Sequence, residues 1–453
     1  MMMYPTLIVL SSVLMATSSA FAQQDVTDSR QPPRVYEAPA RELDERIAKP
    51  ERITETEPPP LPERVLLPLP PDHRMATDRS QVPISEAHWD RARQAVERGV
   101  AFLLARQDGY GAWMTPVQTV PTDQPNKPSP IAVAVSALAV RAIVQADEAA
   151  LQTPAVQRAL RFIRSTQRED GSFEGGALTN YVTSSVVMAL ASLDSPDHHD
   201  ELGDAVRWLS KNQWDQSEGV KPEQDWFGGA GYGNHGRPDL SNTQLMLDAM
   251  YEAGMCPDEP AFQRAVAFLS RAQNLRATNP SEWAGNDGGF IYTPANGGES
   301  FASEAAGEGR YGEIVPEGRA RSLRSYGSMT YAGFKSMMYA GMSQDDIRVR
   351  AAFDWIRRHW TFDENPGLGH QGLYYYYHTM SRALRIAQQH VIADINDVKH
   401  NWREELIDAI TSRQREDGSW RNEAERWLEG DDVMATVYAV LSLQEALKAV
   451  AQP

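Results

Sequence analysis

The sequence predicts an all-α fold, an (α/α)6 toroid of about twelve helices in two concentric layers. Two observations predict it: a short segment that recurs along the chain, and an alternation of half-polar with wholly apolar helices. The segment is clearest in residues 98–113, where Phe102 stands five places before Gln107 and a glycine loop ends at Trp113. Recurrence at intervals of roughly 45 to 90 residues is typical of a ring or solenoid of helix pairs.

Weaker copies of this segment mark the later repeats. In each loop, glycine permits a tight turn, glutamine can bond backbone groups at helix ends, and the aromatic ring covers the joint between repeats. In the degenerate fifth copy, Trp360 stands where the glutamine is expected. The copies are residues 162–173, 208–213, 268–290, 355–360 and 414–420.

The helices between the loops are of two kinds. Residues 93–106 place Val96, Val100 and Leu103 on one face and charged side chains elsewhere, which predicts a half-buried outer helix. The segment after each loop is apolar nearly all round, and such a helix must be covered on every side. We expect an inner layer built from residues 131–144, 182–193, 245–251 and 435–443.

The N-terminal part of the chain lacks the repeat. Residues 1–22 carry no charge and end in the small-x-small tripeptide Ala20-Phe21-Ala22, which predicts a signal peptide and a secreted or periplasmic protein, whether the segment is cleaved or kept as an anchor. The apolar run is about ten residues, too short to span a bilayer, and we expect no transmembrane helix. Residues 23–85 are proline-rich and predict a disordered spacer, which leaves residues 86–453 for the toroid.

Composition excludes several classes of partner. The net charge of −17 argues against binding to nucleic acid. Cys256 is the single cysteine, so no internal disulfide can form, and the ten histidines lack metal-ligand spacing. We therefore expect no metal and no cofactor, and the sequence leaves the oligomeric state open.

The loops of the form seen in residues 414–420, together with their helix pairs, resemble the QW repeats of the prenyltransferase and squalene-cyclase superfamily, a group of α/α toroids. The likeness covers about residues 90–450. It implies a lumen suited to a hydrophobic ligand and, if the protein is an enzyme, a terpene cyclase-like isomerase. There is room for one toroid only.

The acid motif of these cyclases, Asp-x-Asp-Asp-Thr at the start of an inner helix, has its nearest counterpart in residues 239–243. The central, proton-donating aspartate then falls on Ser241, whose hydroxyl is far too weak an acid, and Asn242 replaces the last aspartate. Only Asp239 remains as an acid, which argues against ordinary class II cyclase activity. The same residues are also preferred as helix caps.

A second acidic pair, Asp431 and Asp432, opens the last inner helix. Negative charge is favourable at a helix N-terminus, so capping explains the pair as well as a role as a lumen acid does. With Asp239, these are the catalytic candidates.

Polar and aromatic residues at the beginnings of the inner helices are expected to converge at one end of the ring and bind a small hydrophobic or oligomeric ligand. A long loop, residues 225–236, adds aromatic residues beside glycines, which suits ligand binding. The expected ligand-binding residues are Tyr181, Trp226, Tyr232, His235, Ser241, Asn242, Tyr326, Tyr374, Tyr375 and His378.

Two alternatives remain open. Polysaccharide lyases and hydrolases also use α/α toroids with paired carboxylates, for which Asp225, Asp287, Glu304 and Glu308 are available. The third possibility is a non-enzymatic extracytoplasmic scaffold. A closed aromatic chamber would favour an isoprenoid-like ligand, an open carboxylate-lined groove a glycan, and a filled lumen a scaffold.

Overall fold

A computed structural model describes residues 74–114, 129–193, 195–295 and 323–450, which contain twelve α-helices and one small hairpin. The predicted signal peptide, most of the predicted spacer, and both Glu304 and Glu308 lie outside the described residues. The α-helices are α1 (Glu86–Ala105), α2 (Pro130–Ala146), α3 (Pro154–Arg164), α4 (Thr179–Ala191), α5 (His199–Lys211), α6 (Leu240–Glu252), α7 (Pro260–Ala272), α8 (Gly327–Tyr339), α9 (Ile347–Arg358), α10 (Leu373–Ile386), α11 (Trp402–Thr411) and α12 (Asp432–Leu447).

Shorter elements connect these helices. The antiparallel hairpin of β1 (Val391–Ala393) and β2 (Lys399–Asn401) joins α10 to α11, with Ile392 opposite His400. The described 3-10 turns are Arg79–Gln81, Glu148–Gln152, Gly176–Leu178, Pro196–His198, Gln216–Glu218 and Arg426–Leu428.

Odd-numbered and even-numbered helices form different layers. In α5 only Ala205, Trp208 and Leu209 are buried, and the other side chains are partly or fully exposed to solvent. In α12 every residue after Asp432 is buried. A helix with one apolar stripe can sit on the surface, whereas one that is apolar all round must be enclosed, so the even helices are the inner layer.

The inner layer closes on itself. Each even helix packs against the next even helix, and α12 packs against both α2 and α1. The outer helices α11 and α1 are also in contact. The described residues thus form a closed ring of six helix pairs, which confirms the predicted all-α toroid of about twelve helices.

The loop glutamines join neighbouring outer helices. Gln414 donates from Nε2 to the carbonyl of Gly418 in its own loop, at 3.0 Å, and to that of Ala95 in α1, at 2.9 Å. This bond connects the last repeat to the first. Gln107, Gln213 and Gln273 make the same pair of bonds, each to a loop glycine and to the next outer helix.

A second recurrent bond joins the loops to the inner layer. The backbone N–H of Trp420 donates to Thr436 Oγ1 of α12 at 3.0 Å. Equivalent backbone donors in other loops bond Ser136, Thr183, Thr243 and Thr330. Buried backbone groups outside regular structure need such partners, and an inner-helix hydroxyl supplies one in these repeats.

The toroid begins before the boundary drawn from composition. Ala76, Val82 and Ile84 are buried, and the backbone N–H of Ala76 donates to the carbonyl of Leu447 at 2.9 Å. The proline-rich composition predicts a spacer here, yet these apolar side chains belong to the main hydrophobic core of the ring. Among the described residues, no helix is both long and apolar enough to cross a membrane.

Candidate functional site

The beginnings of four inner helices meet across the lumen. Tyr181, in the first turn of α4, has its hydroxyl 3.4 Å from that of Tyr438 in α12. Ser241, in the first turn of α6, has Oγ 3.0 Å from the hydroxyl of Tyr375 in α10. These contacts join helices that are not neighbours in the ring, so side chains from four inner helices come together here.

A small pocket lies among these groups, with a volume of about 20 Å³. This is room for about one or two water-sized groups, whereas sites for drug-sized ligands are typically about 300–1,000 Å³. Its wall combines hydroxyls, an amide and an imidazole with apolar side chains and one ion pair. The lining residues are Leu138, Tyr181, Met188, Ser241, Gln244, Leu245, Asp248, Lys335, Tyr375, His378, Thr379 and Tyr438.

Ser241 takes part in a hydroxyl network and not in an acid cluster. The hydroxyl of Tyr375 meets Ser241 Oγ and accepts a hydrogen bond from Gln244 Nε2 at 3.1 Å. Burial raises the pKa of Tyr375, so its phenol stays protonated at neutral pH. Ser241 and Tyr375 therefore present only hydroxyl groups to the pocket.

Asp239 is buried and caps α6. One carboxylate oxygen accepts from the backbone N–H of Asn242 at 2.8 Å, and the side-chain amide of Asn242 donates to both oxygens at 2.9 and 3.1 Å. Burial raises the pKa of Asp239 to about 7, against the opposing effect of these bonds. Both oxygens are engaged by the cap, and Asp239 is not part of the pocket wall.

Asp431 and Asp432 serve the N-terminus of α12 in different ways. Asp431 caps the helix by accepting from the backbone of Val433 at 2.8 Å. Asp432 forms ion pairs with Arg415 at 3.1 Å and Arg421 at 3.7 Å. Its carboxylate is therefore engaged by arginines of the preceding loop.

A buried acid at the same end of the ring has no signal in the local sequence. Glu429 is fully buried and accepts from the backbone N–H groups of Tyr374 and Tyr375 at 3.1 and 2.8 Å, which caps α10 from another repeat. Asn422 also donates to it at 2.7 Å. Burial raises the pKa of Glu429 to about 7. Glu429 is distant in sequence from the helix that it caps, so the residue pattern around the start of α10 could not predict this cap.

Some aromatic side chains at the tyrosine-rich start of α10 line the pocket, and others pack against neighbouring rings. Tyr375 and His378 line the pocket, and the imidazole of His378 stacks on Tyr438 with centroids 5.7 Å apart. Tyr374 is buried instead against Tyr377, at a centroid distance of 6.0 Å. Burial, with nearby cations, lowers the pKa of His378 to about 3, so it is neutral.

Tyr232 and Tyr326 lie near the pocket without lining it. The hydroxyl of Tyr232 meets that of Tyr292 at 3.5 Å, and burial raises the pKa of both groups. Tyr326 is buried before α8, and its pKa is also raised by burial, with smaller contributions from Tyr375 and Asp239. These phenols extend the aromatic surroundings of the pocket toward the loop of the third repeat.

Trp226 and His235 belong to a separate cluster. Both rings pack edge-on against Trp214, with centroids 4.9 and 5.2 Å away. Val220 and Phe227 complete this small core beneath the long loop. The structure therefore places Trp226 and His235 apart from the lumen residues with which the sequence grouped them.

An ion-pair network fills the lumen beyond the pocket. Asp248 pairs with Lys335 at 2.6 Å and with Arg382 at 3.3 Å, and it accepts from the Tyr339 hydroxyl at 2.7 Å. Arg382 continues the network to Glu252 at 2.6 Å. These side chains are at most 3% exposed, so the network closes the lumen at the far end of the inner helices.

Asp225 and Asp287, the two glycan-enzyme candidates within the described residues, do not share partners. Asp225 lies beside Arg271, and burial raises its pKa. Asp287 accepts from the hydroxyl of Ser325 at 2.9 Å. Within the described part of the chain, no three His, Cys, Asp or Glu side chains are grouped so that they could hold a metal ion.

Comparison with known proteins matches the chain to two family models. The squalene-hopene cyclase C-terminal domain matches residues 118–292, and the prenyltransferase alpha-alpha toroid domain matches residues 263–452. No curated protein matches the chain.

Several solved structures are similar at low sequence identity. The type II terpene cyclase MstE from Scytonema, without ligand, is 14% identical over 79% of this chain and 98% of its own, with a TM-score of 0.42. A protein from Actinoplanes is 18% identical over 78% and 99%, with a TM-score of 0.42. A family 76 glycoside hydrolase from a bovine Bacteroides thetaiotaomicron strain is 10% identical over 78% and 77%, with a TM-score of 0.44.

The two family models overlap over residues 263–292 and together reach from residue 118 to residue 452, which includes five of the six helix pairs. In these residues the chain is similar to the C-terminal domain of the squalene-hopene cyclases and to the prenyltransferase α/α toroid domain.

Proposed function

We propose that this protein binds one end of a hydrophobic, isoprenoid-like or extended ligand in the tyrosine-lined end of its lumen and does not catalyse class II terpene cyclisation. The observation that carries the proposal is the pocket of about 20 Å³ whose wall has Ser241 at the acid position. A cyclase must hold a folded polyene and protonate it. This pocket offers space for a terminal group and no strong acid.

The pocket composition supports binding of a partly apolar ligand. Leu138, Met188 and Leu245 provide apolar contact, while the tyrosine hydroxyls and Gln244 provide hydrogen bonds. Convergent polar groups on an otherwise apolar wall are typical of small-molecule sites. Most of each inner helix is fully buried, but Tyr181, Ser241, Leu245, Tyr375 and His378 are half-buried, which marks the face that a ligand can reach.

The acids near the lumen do not supply the missing proton donor. Asp239 is held on both oxygens by Asn242, and Asp432 is paired with arginines. Protonation of an alkene requires an acid far stronger than a carboxyl whose pKa is raised to about 7, as that of Asp239 is. The catalytic assignments considered from the sequence therefore give way to capping roles for Asp239 and Asp431.

A non-enzymatic scaffold is the second candidate, and the ion network that fills much of the lumen favours it. In either case, the uncharged and apolar N-terminal segment supports a secreted or periplasmic location.

The test uses the purified mature protein, farnesol as the binding probe and squalene as the cyclisation probe. Leu245→Trp fills the pocket, and we expect it to weaken farnesol binding at least tenfold in calorimetry. The matched control Leu104→Trp, at an exposed position of α1, should bind as the unaltered protein does. Gas chromatography with mass spectrometry should detect no cyclised squalene.

Two results would overturn the proposal. Farnesol binding that survives Leu245→Trp in a folded protein would place the ligand outside the lumen. Cyclised squalene that disappears in Asp239→Asn would show that the protein is a cyclase after all.

A further inference from the structure

The ion network beyond the pocket carries more positive than negative charge. Its members are linked by ion pairs and come from five of the six inner helices or directly follow one. Within the described residues it contains five cations and three carboxylates, so it has two cations in excess. The cations are Arg141, Lys335, Arg382, Arg385 and Lys448, and the carboxylates are Asp248, Glu252 and Glu445.

These charges are shielded from water. The side chains of Arg141, Lys335, Arg382 and Lys448 are at most 1% exposed, and that of Arg385 is 12% exposed. Uncompensated charge is costly in such an environment, because the protein interior replaces only part of the lost hydration. A buried excess of cations therefore indicates that an anion belongs to the site.

Several donors in the network have no hydrogen-bond partner. They include Nε of Arg141, Nε and Nη1 of Arg382, and Nη2 of Arg385. Arg382 Nη1 lies 3.7 Å from Glu445, an ion pair too long for a hydrogen bond. Buried donors of this kind are rare in folded proteins, and they agree with the charge excess.

Lys335 connects the network to the pocket. It is the one cation of the network that lines the pocket, and its partner Asp248 lines the pocket beside it. Asp248 is already engaged by Lys335, Arg382 and Tyr339. The imidazole of His378 also lines the pocket, and its Nδ1 has no hydrogen-bond partner. Because this imidazole is neutral, it does not reduce the positive charge at the pocket.

We infer that the group entering the pocket is an anion, a carboxylate at the end of a hydrophobic ligand, which lies beside Lys335 while the apolar part of the ligand extends toward the tyrosines. The inference rests on the proposed function and specifies its ligand class. A free small carboxylate has the same chemistry, and the experiment separates it from the head group of a longer molecule.

The experiment compares farnesoic acid with farnesol, which share a chain and differ in the terminal charge. We expect the unaltered protein to bind the acid at least tenfold more tightly, about 1.4 kcal/mol. Lys335→Met should abolish that preference, so that farnesoic acid and farnesol bind with similar affinity. Lys448→Met is the matched control, because Lys448 is equally buried and paired with Glu445 at 2.7 Å but does not line the pocket.

The outcomes separate the inference from the proposal. If neither molecule binds, the proposed function fails. If both bind equally well, or if Lys448→Met abolishes the preference as fully as Lys335→Met does, only the anion site is refuted.

If the Lys335→Met variant does not fold, a measurement on the unaltered protein still tests the inference. Sodium acetate, at constant ionic strength, should weaken farnesoic acid binding, because the two carboxylates would occupy the same place beside Lys335. Acetate that protects the protein against thermal unfolding without weakening farnesoic acid binding would identify a free-anion site and contradict the head-group assignment.

Discussion

Ser241 Oγ and the hydroxyl oxygen of Tyr375 lie 3.0 Å apart across the lumen, although 134 residues separate them in the chain. The contact joins α6 to α10, which have α8 between them in the ring. The contact places a pair of hydroxyl groups in the pocket wall, and Gln244 donates a hydrogen bond to the Tyr375 hydroxyl.

Removing the hydroxyl of Tyr375 should lower the free energy of unfolding more than removing the hydroxyl of Ser241. Ser241→Ala deletes one bond of Tyr375 and should cost about 1 kcal/mol or less. Tyr375→Phe also leaves the buried amide of Gln244 without its partner and should cost about 1–3 kcal/mol. Urea unfolding measures both values. Equal costs would mean that Gln244 finds another acceptor.

Replacing two loop glycines, Gly418 and Gly254, by alanine should lower the free energy of unfolding by clearly different amounts. A Cβ at Gly418 would lie 2.5 Å from the carbonyl oxygen of Arg98, and its φ is +88°. Gly418→Ala combines a clash with strain and should cost about 3 kcal/mol or more. Gly254, with φ +86° and nothing near its Cβ, isolates the strain, so Gly254→Ala should cost only about 1 kcal/mol. Similar melting temperatures for the two variants would contradict the tight joint.

Two buried acids predict a pH dependence of stability. The folded-state pKa values of Asp239 and Glu429 are raised to about 7 from ordinary values of 3.8 and 4.5. The folded protein therefore holds these protons more tightly, so their contribution is complete below about pH 4 and is lost as the pH rises to about 7.

Glu429→Gln should reduce the loss of unfolding free energy between pH 5 and pH 7.5, by an amount on the order of 2 kcal/mol. Urea titrations at both pH values measure the change, with Glu97→Gln on the exposed surface of α1 as the control. An unchanged slope in Glu429→Gln would mean that this carboxyl is already ionised in the folded protein at pH 5.

Breaking the lumen network should be far more costly than breaking a surface pair. Asp248→Asn leaves Lys335 and Arg382 without their shared carboxylate and should cost about 3–5 kcal/mol. Asp408 pairs with Arg91, and its side chain is 58% exposed. The Asp408→Asn change should therefore lower the free energy of unfolding by less than about 1 kcal/mol. Chemical unfolding compares them, and comparable losses would show that water reaches the lumen network.

The sequence predicted the ring because its evidence is local and repeated. Each half-polar helix, each apolar helix and each glycine loop has its own periodic pattern. The pattern did not reveal Thr243 as a loop-bonding residue, although a hydroxyl residue of the inner helix makes this bond in other repeats as well. That recurrence is the signal by which it could have been found.

The interior of the ring was less predictable. Residues 245–251 were interpreted as an almost wholly apolar segment, yet Asp248 within them anchors the lumen network. Its partners Lys335 and Arg382 come from α8 and α10, more than eighty residues away. Trp226 and His235 were grouped with the lumen because of their residue types, whereas the packing on Trp214 removes them from it.

Photolabelling tests the central claim, that the tyrosine-lined end of the lumen holds a ligand, most directly. A farnesyl analogue carrying a diazirine would be irradiated with the mature protein, and the modified peptides mapped by mass spectrometry. We expect labels on the peptides that contain Leu245 and Tyr375, and competition by unlabelled farnesol. Labelling confined to the loop of Trp226 or to the outer helices would contradict the account.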